Sequence, residues 1–436
     1  MKYFRGIVYS AMLFRGIKTV VNHQIVKNSK GVSVFTECGK RYLDFTAGFG
    51  VTNLGHSQDD VVNAAKTACE TNIHSQMGIM KHRPMMDLME NLGTLDISKR
   101  SQFDSWYLWN SGTEAVEGAC KLARQATGRP NIISMVGAYH GRTYLSMSLT
   151  TSGKKYRSSF GPLPSGVLHC PFPIGSDMMN RSINCNYWGI TSMTDITNET
   201  NRCLAYLNEM LETQTSPKDT AAIIIEPVLG EYGYYPAPPG FLSGIRQICD
   251  KHGILLICDE IQTGFGRTGS MFACDWIDNG ITPDIVTMAK GIANGFPLSA
   301  IGTRKELSDL QEPGTMGGTY GGNAVACAAA NAVFDVFRRD NILQNVRDME
   351  KQTRNFMINI KYHSIIKDFR GRGLMLGIEL HDKQKAERVV AQCTDDGLLL
   401  LTSGPRNTIR IIPALTITKE EMSAGLEILE SAIMKA

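Results

Sequence analysis

Two apolar runs of the chain end in ionisable residues, and this feature restricts the fold more than any other. Residues 254–258 read ILLIC and are followed by Asp259 and Glu260, while residues 285–289 read IVTMA and are followed by Lys290. Short continuous apolar runs are typical of strands that are covered on both faces, as in a parallel sheet. Because burying a charge is costly, Asp259 and Lys290 each need a partner or a chemical function.

The expected position of these two side chains favours a ligand site. In open α/β sheets, ligands bind beyond the carboxyl ends of the strands. A lysine that is desolvated there can form a Schiff base with a carbonyl group. A nearby carboxylate can hold the pyridinium nitrogen of pyridoxal phosphate (PLP). The two runs alone are equally consistent with a structural ion pair between Asp259 and Lys290.

The sequence around both charges resembles the signature of the class III PLP-dependent aminotransferases. Residues 258–269 read CDEIQTGFGRTG and residues 283–292 read PDIVTMAKGI, in the order and spacing of that family. The similarity extends over roughly residues 25–430. It implies an α/β protein with the PLP-dependent transferase fold type I, in which a large domain with a mainly parallel sheet is joined to a small α+β domain.

The resemblance implies a role for several residues around the cofactor ring. Lys290 would hold PLP covalently and would also act as the catalytic base and acid. Asp259 would keep the ring nitrogen protonated, and Gln262 would hydrogen-bond the phenolic oxygen. Tyr139, in the segment YHGRT at residues 139–143, occupies the place where the family stacks an aromatic side chain on the ring.

A second group of residues is expected at the phosphate. Residues 110–114 read NSGTE and precede a helical apolar stripe, which indicates a helix N-terminus. Such an end suits a phosphate through its free N–H groups, although most sequences of this kind are only helix caps. The resemblance implies that Gly112 and Thr113 hold the PLP phosphate. It also implies that Thr319, in a Gly-rich segment, reaches the phosphate of the neighbouring subunit, so a homodimer is expected.

Four residues are expected to recognise the substrates. The resemblance places Phe49 on a loop that lines the substrate pocket, and Arg142 where 4-aminobutyrate enzymes bind the distal carboxylate. The planar guanidinium fork is suited to that contact. Glu231 and Arg410 would form a switch: while paired they admit an ω-amine, and when the pair opens Arg410 binds an α-carboxylate. The alternative is that both belong to a structural salt bridge, but their matching sequence contexts favour the switch.

The chain departs from the family pattern beside this switch. Residues 229–233 read LGEYG where the family has QGEGG. The segment HGRT, which contains Arg142, also occurs in relatives with other substrates. The expected reaction is therefore transamination between an ω-amino acid, with 4-aminobutyrate as the predicted donor, and a 2-oxo acid, with 2-oxoglutarate as the predicted acceptor.

Three other functions stay open at this point. An ornithine or acetylornithine aminotransferase uses much of the same set of residues. A PLP-dependent amino-acid racemase shares the signature and the same lysine. A catalytically silent homologue is disfavoured because Asp259, Gln262 and Lys290 are all present.

The 436 residues are enough for two domains. The predicted division is an N-terminal arm or transit peptide at 1–24, the first part of the small domain at 25–55, the large PLP-binding domain at 56–324, and the second part of the small domain at 325–436. Residues 1–36 contain basic residues but no Asp or Glu. This profile is typical of a mitochondrial transit peptide, and equally of a basic arm. The mitochondrial matrix is therefore suspected, with the cytoplasm as the alternative.

Composition argues against several other classes of protein. A net charge of +3 without a basic stripe does not indicate a nucleic-acid partner. No apolar run reaches the ~20 residues that a membrane helix needs. The eleven cysteines form no CxxC pair or Cys/His cluster, which predicts reduced thiols and no metal site. Residues 171–200 are rich in Asn, Ser and Thr and predict an irregular surface loop.

Overall fold

The computed structural model describes residues 20–21, 24–174, 193–360, 364–403 and 405–436. The predicted arm or transit peptide at residues 1–24 lies outside the described residues except at 20, 21 and 24. Among the described residues, no helix is long and apolar enough to cross a membrane. The same residues contain no group of His, Cys, Asp and Glu side chains that could hold a metal ion.

Strands and helices alternate along most of the chain. The strands are β1 Val26–Lys30, β2 Ser33–Thr36, β3 Arg41–Asp44, β4 Ser105–Trp109, β5 Asn131–Met135, β6 Val167–Cys170, β7 Thr220–Ile225, β8 Val228–Leu229, β9 Tyr235–Pro236, β10 Leu255–Asp259, β11 Ile285–Met288, β12 Ser299–Thr303, β13 Ile366–Arg372, β14 Met375–Leu380, β15 Leu398–Leu399, β16 Leu401–Ser403 and β17 Thr408–Ile411. The helices are α1 Asp59–Thr71, α2 Arg83–Gly93, α3 Asp96–Ser101, α4 Gly112–Thr127, α5 Tyr144–Leu149, α6 Met193–Thr213, α7 Phe241–His252, α8 Lys305–Ser308, α9 Ala324–Arg339, α10 Ile342–Ile360, α11 Lys383–Asp395 and α12 Lys419–Met434.

The largest sheet has seven strands in the order β4-β12-β11-β10-β7-β5-β6. The strands from β11 to β6 run parallel to their neighbours, and only β12 pairs antiparallel, with β11 and β4. Every residue of β7, β10 and β11 is buried, which agrees with the apolar runs in the sequence. The prediction of an α/β fold with a mainly parallel sheet is confirmed.

The register of β10 and β11 explains how the two charged residues meet. Asp259 lies opposite Thr287, so both strands end at the same edge of the sheet. Lys290 follows β11 by two residues and begins a 3-10 turn, Lys290–Ala293, with a left-handed φ of 47°. At the same edge, helix α4 starts directly after β4 and packs against β11 and β12. The Ser111 side chain caps this helix by accepting a hydrogen bond from the N–H of Glu114.

A second core is built from both ends of the described chain. Strand β15 pairs parallel with β3, with Leu398 opposite Leu43, in the sheet β1-β2-β3-β15. A further sheet has the order β13-β14-β17-β16. This is the expected smaller α+β part. The exact domain bounds stay predictions, because helix α9 contributes Phe334 to the large core and Val333 to the second one.

The loop prediction for residues 171–200 is wrong at its end. Helix α6 begins at Met193, and residues 175–192 lie outside the described residues. The buried face of α6 is formed by Ile196, Cys203, Leu207 and Met210. Three of these four residues lie beyond position 200. The first turns of the helix, at 193–200, are mostly polar, so they do not show the apolar spacing by which a helix is predicted.

Arg267 joins the two cores. Its side chain is fully buried and donates hydrogen bonds to the carbonyl oxygens of Leu374 at 3.0 Å and Pro413 at 2.5 Å, and to Oδ1 of Asn53 at 2.7 Å. These acceptors belong to three separate segments of the chain. One guanidinium therefore holds the loop after β10 against the segments that follow β13 and β17.

We expect Arg267→Met to lower the free energy of unfolding by about 2–4 kcal/mol, because three acceptors lose their donor while the volume is nearly kept. Chemical denaturation followed by circular dichroism measures the change. The exposed Arg388 on α11 provides the matched control, since Arg388→Met should stay within about 0.5 kcal/mol of the parent. Equal stability of the two variants would contradict the role given to Arg267.

Candidate active site

A cavity of about 490 Å³ opens at the carboxyl ends of β10 and β11. Most of the residues expected from the sequence line it, namely Gly112, Thr113, Tyr139, Arg142, Glu231, Asp259, Gln262 and Lys290. Phe49 and Arg410 are not lining residues themselves, but each contacts one: the Phe49 carbonyl oxygen accepts a hydrogen bond from Nε2 of Gln262 at 3.4 Å, and Arg410 pairs with Glu231. Thr319 is exposed and lies outside the cavity of its own chain.

Asp259 is held by three donors at the edge of the sheet. Its Oδ1 accepts hydrogen bonds from the N–H of Ile261 and from Oγ1 of Thr287, both at 3.1 Å. Its Oδ2 lies 2.7 Å from Nδ1 of His140. The carboxylate is only 3% exposed. Because these three contacts engage both oxygens, the carboxylate is fixed in orientation relative to the cavity.

His140 is a site residue that the sequence analysis did not assign. Its side chain is fully buried beside Asp259, and its charge acts on the buried carboxyl group of Glu226. Its Nε2 has no hydrogen-bond partner among the described residues. The signal available in the sequence was its position next to Tyr139, one residue into the segment that was already singled out.

Glu226 directly follows the buried strand β7 and is a second site residue that the sequence analysis did not assign. It lines the cavity and accepts hydrogen bonds from the N–H groups of Tyr139 at 2.8 Å and Gly230 at 3.1 Å. Burial raises the pKa of Glu226 to about 7, with a further contribution from the charge of Asp259. The strand-end pattern that singled out Asp259 applies to Glu226 equally well. Its two N–H donors fix the segments that carry Tyr139 and Glu231.

Lys290 faces the cavity from the turn after β11. Burial lowers the pKa of its ammonium group below the usual value, and the carboxylates of Glu231, Glu226 and Asp259 oppose that shift. A lowered pKa increases the fraction of neutral amine, which is the nucleophilic form. The left-handed backbone at Lys290 is unusual for a residue with a side chain and is typical of functional sites.

The N-terminus of helix α4 lies at the cavity and suits an anion. The first N–H groups of a helix have no acceptor within it, so those of Gly112 and Thr113 are free to bind an anion. A Cβ atom on Gly112 would lie 3.0 Å from Cδ1 of Ile261, so close packing leaves little room for a larger residue. The Thr113 hydroxyl lies 2.7 Å from that of Thr143, which fixes the rotamer at this end of the cavity.

An aromatic and cationic group forms one rim of the cavity. Nε of Arg142 donates a hydrogen bond to the hydroxyl of Tyr139 at 2.9 Å. The Arg142 guanidinium also lies 4.9 Å from the ring centre of Tyr156, and the two tyrosine rings meet edge to face at 5.1 Å. Arg142 is exposed on its other side and can bind a carboxylate there.

Glu231 and Arg410 form an ion pair in this structure. Nη1 of Arg410 donates to Oε1 of Glu231 at 2.6 Å, and the two side chains are 3% and 15% exposed. Phe49 covers the guanidinium, whose carbon lies 5.5 Å from the ring centre. Burial alone would lower the pKa of Arg410, but the charge of Glu231 raises it above the usual value. The pair is therefore ionised and closed.

The residues of the cavity fit PLP. They provide an amine, a fixed carboxylate, a phosphate site and an aromatic side chain around one space. Gln262 lines the same space, and its Oε1 is buried without a hydrogen-bond partner among the described residues. An unpaired polar atom of this kind points to a polar ligand. The fold and this set of residues define a PLP-dependent transferase of fold type I.

The comparisons with known proteins identify the family. The family model "Aminotransferase class-III" matches residues 17–433, so the chain belongs to the class III aminotransferases and is a PLP-dependent transaminase. The 4-aminobutyrate aminotransferase of Escherichia coli K12 is 37% identical over 411 residues, covering 91% of this chain and 90% of that protein. The 5-aminovalerate aminotransferase of Pseudomonas aeruginosa is 35% identical, covering 95% and 94%.

A solved structure shows the same fold. The taurine:2-oxoglutarate aminotransferase of Bifidobacterium kashiwanohense, in complex with PLP and glutamate, matches with a TM-score of 0.89 and 27% identity over 99% of this chain and 97% of that one. The three named relatives are bacterial and lend no support to the suspected mitochondrial location. The cytoplasmic alternative is consistent with them.

We expect His140→Leu to reduce kcat/KM by about 10- to 100-fold, because Asp259 loses a buried charge-assisted hydrogen bond of about 1.5–3 kcal/mol. PLP should also dissociate faster, as measured by the loss of visible absorbance on gel filtration. His140→Asn keeps a donor and should recover part of the loss.

His169→Leu is the control for this substitution, since His169 bonds the carbonyl oxygen of Ser148 at 3.0 Å and does not line the cavity. It should retain PLP as the parent does. The role of His140 is excluded if its Leu and Asn variants behave alike, or if both match the control.

The Lys290 pKa should respond to its neighbours. Glu231→Gln removes a carboxylate that raises this pKa, so the pKa falls further and the neutral amine persists to lower pH. The apoenzyme takes up PLP at a rate that depends on the neutral amine. The acid limb of the pH–rate profile for PLP uptake should therefore shift to lower pH. The exposed Glu312→Gln serves as the control and should leave the limb in place. A shift to higher pH would contradict the electrostatic assignment.

Proposed function

We propose that the protein transfers the amino group of an ω-amino acid, 4-aminobutyrate, to a 2-oxo acid, 2-oxoglutarate. The observation that carries this proposal is the closed pair of Glu231 and Arg410 at 2.6 Å beside the cavity that contains Lys290. The reacting carbon of an ω-amine carries only hydrogen where a 2-oxo acid carries a carboxylate. An ω-amine therefore needs no cation at this position, and the guanidinium stays neutralised by Glu231. Once released from Glu231, the same guanidinium can bind the α-carboxylate of an oxo acid.

The second guanidinium supports a substrate with a distal carboxylate. Arg142 lines the cavity, and its guanidinium is held by a hydrogen bond from Nε to the Tyr139 hydroxyl and by the Tyr156 ring, which leaves the two terminal nitrogens for a carboxylate. Both 4-aminobutyrate and 2-oxoglutarate carry a carboxylate at the end remote from the reacting carbon. One Arg142 can therefore serve both substrates in turn, while Arg410 is needed for only one of them.

The remaining residues would perform the proton chemistry. When bound, PLP supplies an electron-withdrawing ring that stabilises negative charge on the carbon that loses its proton. Asp259 would hold the ring nitrogen protonated, Tyr139 would stack on the ring, and Gly112 and Thr113 would bind the phosphate. The Lys290 amine would accept the proton from the substrate carbon and return it, since burial favours its neutral form.

The relatives support the substrate class. The Escherichia coli relative is a 4-aminobutyrate aminotransferase and the Pseudomonas aeruginosa relative is a 5-aminovalerate aminotransferase. Both named substrates carry the amine at the end of the chain remote from the carboxylate. We also propose that Leu229 and Tyr232 influence which of these substrates is preferred. They lie close to Glu231 in the sequence, at the two positions where the chain departs from the family pattern.

Steady-state assays with 2-oxoglutarate should identify the donor. We expect 4-aminobutyrate to give glutamate and succinic semialdehyde with a kcat/KM at least about tenfold above that of ornithine and acetylornithine, a difference of about 1.4 kcal/mol in transition-state binding. A preference for ornithine or acetylornithine would replace the proposed donor. Loss of chirality in an amino acid without consumption of the oxo acid would indicate a racemase.

We also propose a homodimer, on the evidence of an apolar surface beside Thr319. The side chains of Ile73, Ile79, Met80 and Tyr320 are 62–83% exposed. Their two segments are joined by a 3.4 Å hydrogen bond from Nε2 of Gln76 to the carbonyl oxygen of Gly318. Exposed apolar patches mark protein interfaces.

Light scattering should give twice the chain mass of 48.0 kDa. Ile79→Glu should shift that mass toward the mass of one chain. It should also weaken PLP retention, because Thr319 could no longer reach the PLP phosphate of the neighbouring subunit. A fully active monomer would contradict the homodimer.

A further inference from the structure

The proposed switch leaves one charge without an evident partner. When Arg410 binds an α-carboxylate, Glu231 has to leave a pair in which both side chains are largely buried. Removing one partner of a buried ion pair is strongly unfavourable, because the remaining charge stays desolvated. The substrate satisfies Arg410. A donor within reach of Glu231 is needed to satisfy the carboxylate.

Tyr156 offers that donor. Its hydroxyl donates to Oε2 of Glu231 over 3.4 Å, a long bond, while Arg410 occupies Oε1 at 2.6 Å. Burial raises the pKa of Tyr156 to about 12, so the hydroxyl keeps its proton at neutral pH. The bond is long in the closed state, so a turn of the carboxylate away from Arg410 can shorten it toward the usual O–H···O distance.

The charges of Arg142 and Arg410 oppose part of the effect of burial on the pKa of the Tyr156 hydroxyl, which still keeps its proton. Two cations lie over its ring, Nζ of Lys155 at 4.7 Å and the guanidinium carbon of Arg142 at 4.9 Å from the ring centre. These cation–π contacts hold the Tyr156 ring in place beside Glu231. The charge of Lys155 also acts on Glu231 itself.

A second tyrosine near the pair does not provide the same contact. Tyr234 is fully buried, and among the described residues its hydroxyl makes no hydrogen bond to Glu231. Burial raises the pKa of Tyr234, and the charge of Arg410 opposes that rise. Tyr234 is thus associated with the arginine, whereas Tyr156 already contacts the carboxylate that has to move.

We propose that Tyr156 is a positioning residue that receives the Glu231 carboxylate when the pair with Arg410 opens. This inference rests on the proposed aminotransferase function and its switch. It assigns Tyr156 to the oxo-acid half of the cycle, in which the open state is required. The ω-amine half uses the closed pair, in which the short bond from Arg410 holds Glu231 and the contact with Tyr156 is long.

The test measures the two half-reactions separately by stopped-flow absorbance of bound PLP. In Tyr156→Phe, which keeps the ring between its neighbours, we expect the apparent dissociation constant for 2-oxoglutarate to rise about tenfold, while that for 4-aminobutyrate changes less than twofold. Tyr206→Phe is the matched control, because Tyr206 lies on α6 and its hydroxyl takes part in a 3.4 Å hydrogen bond with Gln214. It should alter neither constant.

A double-mutant cycle with Glu231→Ala separates positioning from packing. In the Glu231→Ala background there is no carboxylate to accept a hydrogen bond from Tyr156. Tyr156→Phe should therefore no longer affect the apparent dissociation constant for 2-oxoglutarate. An equal effect in both backgrounds, a larger effect on 4-aminobutyrate, or no effect at all would overturn the proposal. A packing defect is common to both backgrounds and cancels in the cycle.

The failure of the proposed function would be recognised separately. If the parent enzyme reacts with neither 4-aminobutyrate nor 2-oxoglutarate, the function is wrong and the role of Tyr156 falls with it. If the parent reacts with both but the cycle shows no coupling, only the role of Tyr156 is wrong.

Discussion

The site depends on one buried carboxylate whose orientation is fixed by the sheet. Asp259 ends β10 and is held by a backbone N–H, the Thr287 hydroxyl and His140. Thr287 comes from the neighbouring parallel strand, and His140 from the loop after β5. The parallel order of these strands therefore brings the three donors to one point. Without such donors, a carboxylate at this position would destabilise the fold instead of serving a ligand.

The cavity also depends on the contact between the two cores. Glu231 follows β8 at the edge of the large core, whereas Arg410 lies on β17 in the other sheet. The pair that we propose to discriminate between substrates thus joins two separately packed units. Arg267 holds these units together through three hydrogen bonds, and it is more buried than any other arginine that is described. A small displacement of one core would change the distance between Glu231 and Arg410.

Much of this arrangement could be predicted from the sequence because strands that are buried on both faces have a clear pattern. The apolar runs before Asp259 and Lys290 predict the parallel strands, and the NSGTE segment predicts the start of helix α4. Residues whose contacts depend on tertiary structure could not be found in this way. His140 and Arg267 are placed by loops that meet their partners only in the folded chain, whereas Glu226 directly follows a buried strand and fits the same pattern as Asp259. The roles that the resemblance implies for the site residues stay proposals.

The most direct test of the account is the visible spectrum of the PLP-loaded enzyme after addition of 4-aminobutyrate alone, without an oxo acid. The account predicts that the absorbance of the aldehyde form of the cofactor is lost and that one succinic semialdehyde appears per active site. That result would link the cavity, the closed pair and the donor in one experiment. An unchanged spectrum at saturating 4-aminobutyrate would contradict the proposed donor.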